Sequence, residues 1–323
     1  MVEAAGGIPA GHKIARHGLA KDAPVRRYGQ VIGFASAAIA AGDQVHTHNL
    51  ELRQFDRTKA VGSAYRATQL VAEPASFEGY LRPGGQVGTR NYLGIIASVN
   101  CSATICKAIA ERFRGEELPG IDGVVPITHS QGCGIDTGGE GMAVLQRTLG
   151  GMVRHPNFGA VLVVGLGCEA NHIAGMFGAE GLETGPLLRT MTIQDEGGTI
   201  ATIRRGEALV RELAALAGDN RRSTVSAAHI TLGLQCGGSD GYSGITANPA
   251  LGVAVDLLVA NGGTAILSET PEIYGAEHLL TARAASPEVT EKLAARLVWW
   301  EDYTARNGGE MDTIPRREAR PGG

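Results

Sequence analysis

The chain has 323 residues, 43% hydrophobic and 19% charged, with a formal net charge of −4. A chain of that length and composition buries a sizeable core, which excludes disorder, and it holds no apolar run of about 18 residues that would suggest a membrane-spanning helix. It also lacks a basic stripe, so nucleic acid and anionic membranes are excluded as partners, whereas a small anionic molecule needs only one or two local arginines.

The first elements are short. Residues 1–57 alternate brief apolar stretches with turn signals, the rhythm of a small β domain. Near its end lies "QVHTHNLE", with His46 and His48 one residue apart. In an extended strand both would face one side and could converge on a metal ion, and a hydrogen-bonded turn is the alternative. Residues 58–88, with Pro74, Pro83 and paired glycines, read as a linker.

From residue 89 the periodicity changes. Continuous apolar runs at 93–99, 123–129 and 160–166 each precede an amphipathic stretch, near 102–114, 139–152 and 170–179. Further runs at 189–193, 229–235 and 264–269 lead towards other helical segments. This predicts an α/β fold over 89–312, a mostly parallel sheet wound with helices on both faces and preceded by the small β domain.

Cys101, His129, Cys133, Cys168, Glu169, Cys236, Asp240 and Glu269 follow the carboxyl ends of these predicted strands. Open α/β sheets bind ligands at that rim. A cysteine is also a small core hydrophobe, which is the reading for Cys106 inside the first helix. The five cysteines are odd in number, lack C-x-x-C spacing and follow no signal peptide, so free thiols in a reducing cytoplasm are expected. "GLGCEA" is a loose dinucleotide fingerprint, but Cys168 and Glu169 would crowd a pyrophosphate. "GGSDG" has the spacing of a nucleophile elbow around Ser239, but the helix expected to follow starts only at Asn248-Pro249.

The strings "GHKIA", "YGQVIGFASAAIAAGDQVHTHN", "GQVGTRNYLGI", "SQGCG", "MVRHPNFGAVLVVGLGCEANHI", "LQCGGSDGYSGITANPALG" and "ANGGTAILSETPEIYGAEHLL" resemble the altronate/galactarate dehydratase family over about residues 8–312. The resemblance implies an amino-terminal SAF (β-clip) domain and a cytoplasmic hydro-lyase of carbohydrate-acid catabolism. Such an enzyme converts a sugar acid to a 2-keto-3-deoxy acid with a divalent metal, typically iron. Few residues precede "GHKIA", and the family pattern continues past "ARNGGEMD" where this chain has the tail 313–323, so the resemblance implies a chain truncated at both ends.

Metal ligands are expected among His46, His48, Cys133, Cys168 and Cys236, with His129 also weighed. Mixed thiolate and imidazole donors suit Fe(II), with Mn(II) or Zn(II) as alternatives. His129 and Glu169 are the expected base and acid, with Asp240 in reserve. Arg90 is the expected carboxylate clamp, and Asn91, Ser239 and Asn248 complete the substrate-binding set. The alternatives are a sulfo-lyase acting on a small hydroxy acid, and a non-catalytic remnant that still binds metal. A homodimer is allowed.

Overall fold

The computed structural model describes residues 2–27, 29–51, 53, 61–237, 242–309 and 311. The chain forms two compact units: Met1–Pro74 together with Ile230–Gly323, and the continuous stretch Ala75–His229.

The amino-terminal part of the first unit has five short strands: β1 (Lys13–Ile14), β2 (Pro24–Arg27), β3 (Gln30–Ala35), β4 (Gln44–Val45) and β5 (Leu50–Glu51). β1 pairs antiparallel with β4, and β2, β3 and β5 form an antiparallel sheet in that order. Their small core is Ala15, Val25, Ala35, Ile39 and Val45. The turn into β4 requires Gly42, at φ +94°, because a Cβ there would stand 2.4 Å from the Glu3 carbonyl oxygen.

The second unit opens inside the segment expected to be a linker. β6 (Ser76–Leu81) and β7 (Val87–Gly88) form an antiparallel hairpin closed by Arg82–Gln86. Pro83 and the paired glycines are its loop, so a hairpin stands where part of the linker was expected.

The alternating series follows as expected: β8 (Tyr92–Ala97), α1 (Asn100–Glu111), β9 (Gly123–Ile127), α2 (Glu140–Val153), β10 (Phe158–Gly165), α3 (Ile173–Glu180), β11 (Leu188–Thr192) and α4 (Thr199–Ala217). The four strands are parallel in the order β11-β10-β8-β9. Leu162 and Val164 pack with Ile105, Ile109, Leu209 and Leu213 of α1 and α4, while Val161 and Val163 pack on the other face with Leu145, Leu149, Met176 and Phe177 of α2 and α3. Both faces are covered, which is why these strands read as unbroken apolar runs. β12 (Ser223–Ser226) returns to pair antiparallel with β6.

The remaining segments lie in the first unit: β13 (Thr231–Leu234), α5 (Ala247–Ala260), β14 (Thr264–Leu267), α6 (His278–Thr281) and α7 (Pro287–Arg306). β13 and β14 pair parallel with each other and form a sheet separate from the four-stranded one. Apolar periodicity marks a strand but does not say which sheet it joins. Among the described residues, no helix is long and apolar enough to cross a membrane.

Candidate active site

The strand order places a topological switch between β8 and β10, whose following helices leave on opposite faces. The crevice beyond their carboxyl ends is where open α/β sheets take ligands. Ser98 and Cys101 follow β8, His129 and Cys133 follow β9, and Cys168, Glu169 and Asn171 follow β10. Two backbone bonds hold the three loops in register: Asn100 N–H donates to Gln131 O at 3.0 Å, and Ala170 N–H to Cys133 O at 3.3 Å.

Three cysteines stand in the loops at this rim, two of them paired. Cys101 Sγ lies 4.0 Å from Cys133 Sγ and 3.4 Å from Asn100 Oδ1, and all three of Cys101, Cys133 and Cys168 are exposed. Local desolvation, then the hydrogen bond with Cys133, then the proximity of Cys133 and Cys168, push the Cys101 thiol above its ordinary pKa. Cys101 therefore favours its protonated thiol unless a cation compensates. Cys106 is buried in the core, as expected, and burial pushes its thiol up to about 12.

Glu169, expected as a catalytic acid, is buried and turned into its own loop. Its Oε1 accepts from Ser98 Oγ at 2.9 Å and Leu166 N–H at 3.1 Å, and its Oε2 from Gly167 N–H at 2.5 Å. The carboxylate bridges the loops after β8 and β10 across the switch point. Asn171, also buried, adds a second bridge through Nδ2 to Ser98 O at 3.0 Å, and its Oδ1 accepts from Gln146 at 3.2 Å. Sequence reasoning passed over Ser98 and Asn171, although both are polar residues within three positions of a rim thiol.

His129 contacts backbone through both ring nitrogens. Nε2 lies 3.1 Å from Ala97 O, and Nδ1 lies 3.1 Å from Gln131 N–H. A carbonyl can only accept and an amide N–H only donate, so the ring carries its proton on Nε2 and its lone pair on Nδ1.

Arg90 and Asn91 stand at the opposite edge, before and at the start of β8. The six residues of that strand separate them from the thiols by about 20 Å. Asn91 is buried, donating to Gly120 O at 2.7 Å and Ala217 O at 2.9 Å and accepting from Arg82 at 3.0 Å. Arg90 donates to Thr89 O at 3.0 Å. The structure gives both a place in the lower edge of the sheet, away from the rim.

In the first unit, Cys236 and Glu269 meet beyond β13 and β14: Cys236 N–H donates to Glu269 Oε2 at 2.6 Å. Glu269 holds a left-handed backbone at φ +63°, unusual for a residue with a side chain. Asn248 sits in the first turn of α5, which begins at Ala247, one residue ahead of the expected cap, and its N–H donates to Ser243 O at 2.8 Å. Ser239 and Asp240 lie outside the described residues.

His46 and His48 are in a turn, the second of the two geometries open to them, and the extended strand that would point both at one ion is absent there. β4 stops at Val45, and buried Asn49 closes the turn by accepting from His46 N–H and donating to Gln44 O, both at 2.9 Å. His48 is exposed, and His46 stacks on His12 instead, ring centroids 5.2 Å apart.

Among the described residues, no three His, Cys, Asp or Glu side chains are gathered to hold a metal. The Cys101–Cys133 separation fits two positions of a shell, since thiolates about 2.3 Å from a tetrahedral ion stand about 3.8 Å apart.

Three family descriptions match in series: the altronate/galactarate dehydratase SAF domain over 1–53, the D-galactarate dehydratase/altronate hydrolase second domain over 79–218, and the D-galactarate/altronate dehydratase C-terminal domain over 227–323. The chain belongs to the altronate/galactarate dehydratase family. It is 34% identical to altronate dehydratase of Bacillus subtilis (strain 168), over 100% of this chain and 64% of that protein. It is 37% identical to altronate dehydratase of Escherichia coli (strain K12), over 92% of this chain and 59% of the relative. Galactarate dehydratase (L-threo-forming) of the same strain is 33% identical, over 97% of this chain and 61% of the relative. The chain thus spans about three fifths of the length of these family members. The second-domain match holds the whole thiol rim, so Cys101, Cys133, Cys168 and the Glu169 bridge lie inside the family's own domain.

Proposed function

We propose that this chain acts as a hydro-lyase on a sugar acid of the altronate or galactarate class and releases a 2-keto-3-deoxy acid. Similarity to altronate dehydratase along the full chain carries the reading. In such a reaction the proton on the carbon beside the carboxylate goes to a base, and hydroxide leaves the next carbon, taking up a proton from the protonated base to depart as water. The enol left behind tautomerises to the keto acid. Negative charge collects on oxygen in both early stages, so the site must offer positive charge or donors.

The chain's own groups divide this work. His129 Nδ1, which carries the ring's lone pair while Nε2–H donates to Ala97 O, is the proton acceptor once it releases the Gln131 N–H it now accepts from. Glu169 is a positioning residue that fixes the crevice between the loops after β8 and β10. The residues that would hold a thiophilic divalent metal, Fe(II) before Mn(II) or Zn(II), are Cys101 and Cys133, with Cys168 in the neighbouring loop, a choice supported by the 4.0 Å sulfur separation. When bound, such an ion polarises the substrate's carboxylate and hydroxyl oxygens.

The test is keto-acid formation from a panel of aldonic and aldaric acids by anaerobically purified chain supplied with Fe(II). Turnover of altronate or galactarate is expected. A folded, metal-loaded chain that turns over none of them defeats the proposal.

A further inference from the structure

Two of the rim cysteines are in direct contact. Cys101 Sγ and Cys133 Sγ lie 4.0 Å apart although 32 residues separate them in the chain, and both residues are exposed. Their segments leave β8 and β9, which are paired as far as Ile96 and Ile127, and the bond from Asn100 N–H to Gln131 O carries that pairing past the strand ends. Backbone pairing therefore keeps the two segments side by side. A disulfide needs its sulfurs at about 2.05 Å, a closure of about 2 Å from the observed separation. The Cys133 loop has room for that movement. A Cβ on Gly134 would meet nothing within 4 Å, and one on Gly132 would meet only Asn100 Nδ2, at 4.0 Å. Glycines on both sides of Cys133 leave that backbone free to turn.

We propose that Cys101 and Cys133 form a reversible disulfide when the protein meets hydrogen peroxide, and that this bond switches off the candidate active site. The chemistry balances in two steps. Peroxide oxidises one thiol to a sulfenic acid: its O–O bond breaks, one oxygen goes to sulfur as hydroxyl and the other leaves as water. The second sulfur then attacks the first, the S–O bond breaks, and the hydroxyl leaves as a second water with the second thiol's proton. Two S–H bonds are lost, one S–S bond is made, and the peroxide is reduced to two waters. A small thiol reverses the bond by exchange. In a reducing compartment disulfides are transient, and exposed ones are the labile, regulatory kind. The effect on the site rests on the metal reading proposed above: a sulfur committed to a disulfide has no thiolate to give an ion, so oxidation releases the metal.

The test treats the reduced, metal-free chain with hydrogen peroxide, caps the remaining thiols with N-ethylmaleimide and maps tryptic peptides by mass. A cross-link between peptides 91–107 and 115–147, lacking two hydrogens, is expected, with fragmentation separating Cys101 from Cys106 on the first of them. Dithiothreitol should remove it. Labelling of Cys101 and Cys133 should fall together, roughly tenfold or more, while that of Cys168 is unchanged. Cys168→Ser should cross-link as the unsubstituted chain does, and Cys133→Ser should leave Cys101 without a cross-link. Sulfinic acid at either cysteine in place of the cross-link overturns the proposal, as does a disulfide through Cys168 or one found only between two copies. The effect on the site is read separately: redox-inert Zn(II) is loaded on the reduced chain, and a chromophoric chelator reports its release. Zinc freed in step with cross-linking is expected. A chain that binds no zinc, or keeps it through cross-linking, overturns the switch and the metal assignment but not the disulfide. Absence of the cross-link overturns the disulfide and leaves the metal assignment standing.

Discussion

Cys101 and Cys106 share one helix and meet opposite environments. Cys101 opens α1 at the rim, with its thiol raised by desolvation and by its sulfur neighbours, and Cys106 faces the core with its thiol pushed to about 12. A raised pKa delays the thiolate to higher pH, so iodoacetamide should label Cys101 with a midpoint above that of an ordinary cysteine. Cys133→Ser should move the midpoint back down, and Cys106 should stay unlabelled until the protein unfolds; mass spectrometry after quenching at a series of pH values reads all three. Glu169 gives a second prediction at this scale. It accepts three hydrogen bonds, and in Glu169→Gln the new NH2 must face the Gly167 or the Leu166 amide, two donors opposed in a buried site. A loss of about 1–3 kcal/mol in urea unfolding is expected, although the side chain keeps its shape. Cysteines following apolar runs made the rim legible in the sequence. The inward turn of Glu169 was not, because it depends on the conformation of the 166–171 loop and on Ser98 in another loop.

At the scale of elements, α1 and α4 cross where α4 has no side chain. A Cβ on Gly206 would stand 2.4 Å from Ile109 Cδ1 and 2.9 Å from Met191 Cε. Alanine is the better helix former by about 1 kcal/mol, but crowding a filled core costs about 1–3 kcal/mol. Gly206→Ala should therefore lower the Tm, and adding Ile109→Val should recover part of the loss in the same melting experiment. The four central strands were legible because each is a short β-rich apolar run between turn signals. The β6–β7 hairpin was hidden among prolines and glycines that also mark linkers, and the two-residue strand Val87–Gly88 carries almost no pattern of its own. For His46 and His48 a strand and a turn stayed open in the sequence, because Asn49 stops β4 through its side chain, which alternation does not reveal.

For the molecule as a whole, sheet membership was the property the sequence withheld. β13 and β14 have the same apolar character as β8 and β10, and only long-range pairing assigns them to a different unit. The continuous unit 75–229 interrupts the other, entering through β6 and leaving through β12. Ser76 and Ser226 are directly paired across these strands, and Ala227 N–H donates to Ala75 O at 2.7 Å. An excursion of about 150 residues therefore starts and ends at one point. Closing so long a loop costs about 4–5 kcal/mol in chain entropy, which unaided strand pairing does not supply. The four-stranded sheet should form first and draw the ends together. Pulse-labelled hydrogen exchange should accordingly show β8 and β10 protected before β6 and β12, and simultaneous protection would contradict that order. The paired strands thus act as a latch: the interrupted unit, whose two stretches of chain are separated until the latch closes, inherits its folding time from the unit it carries.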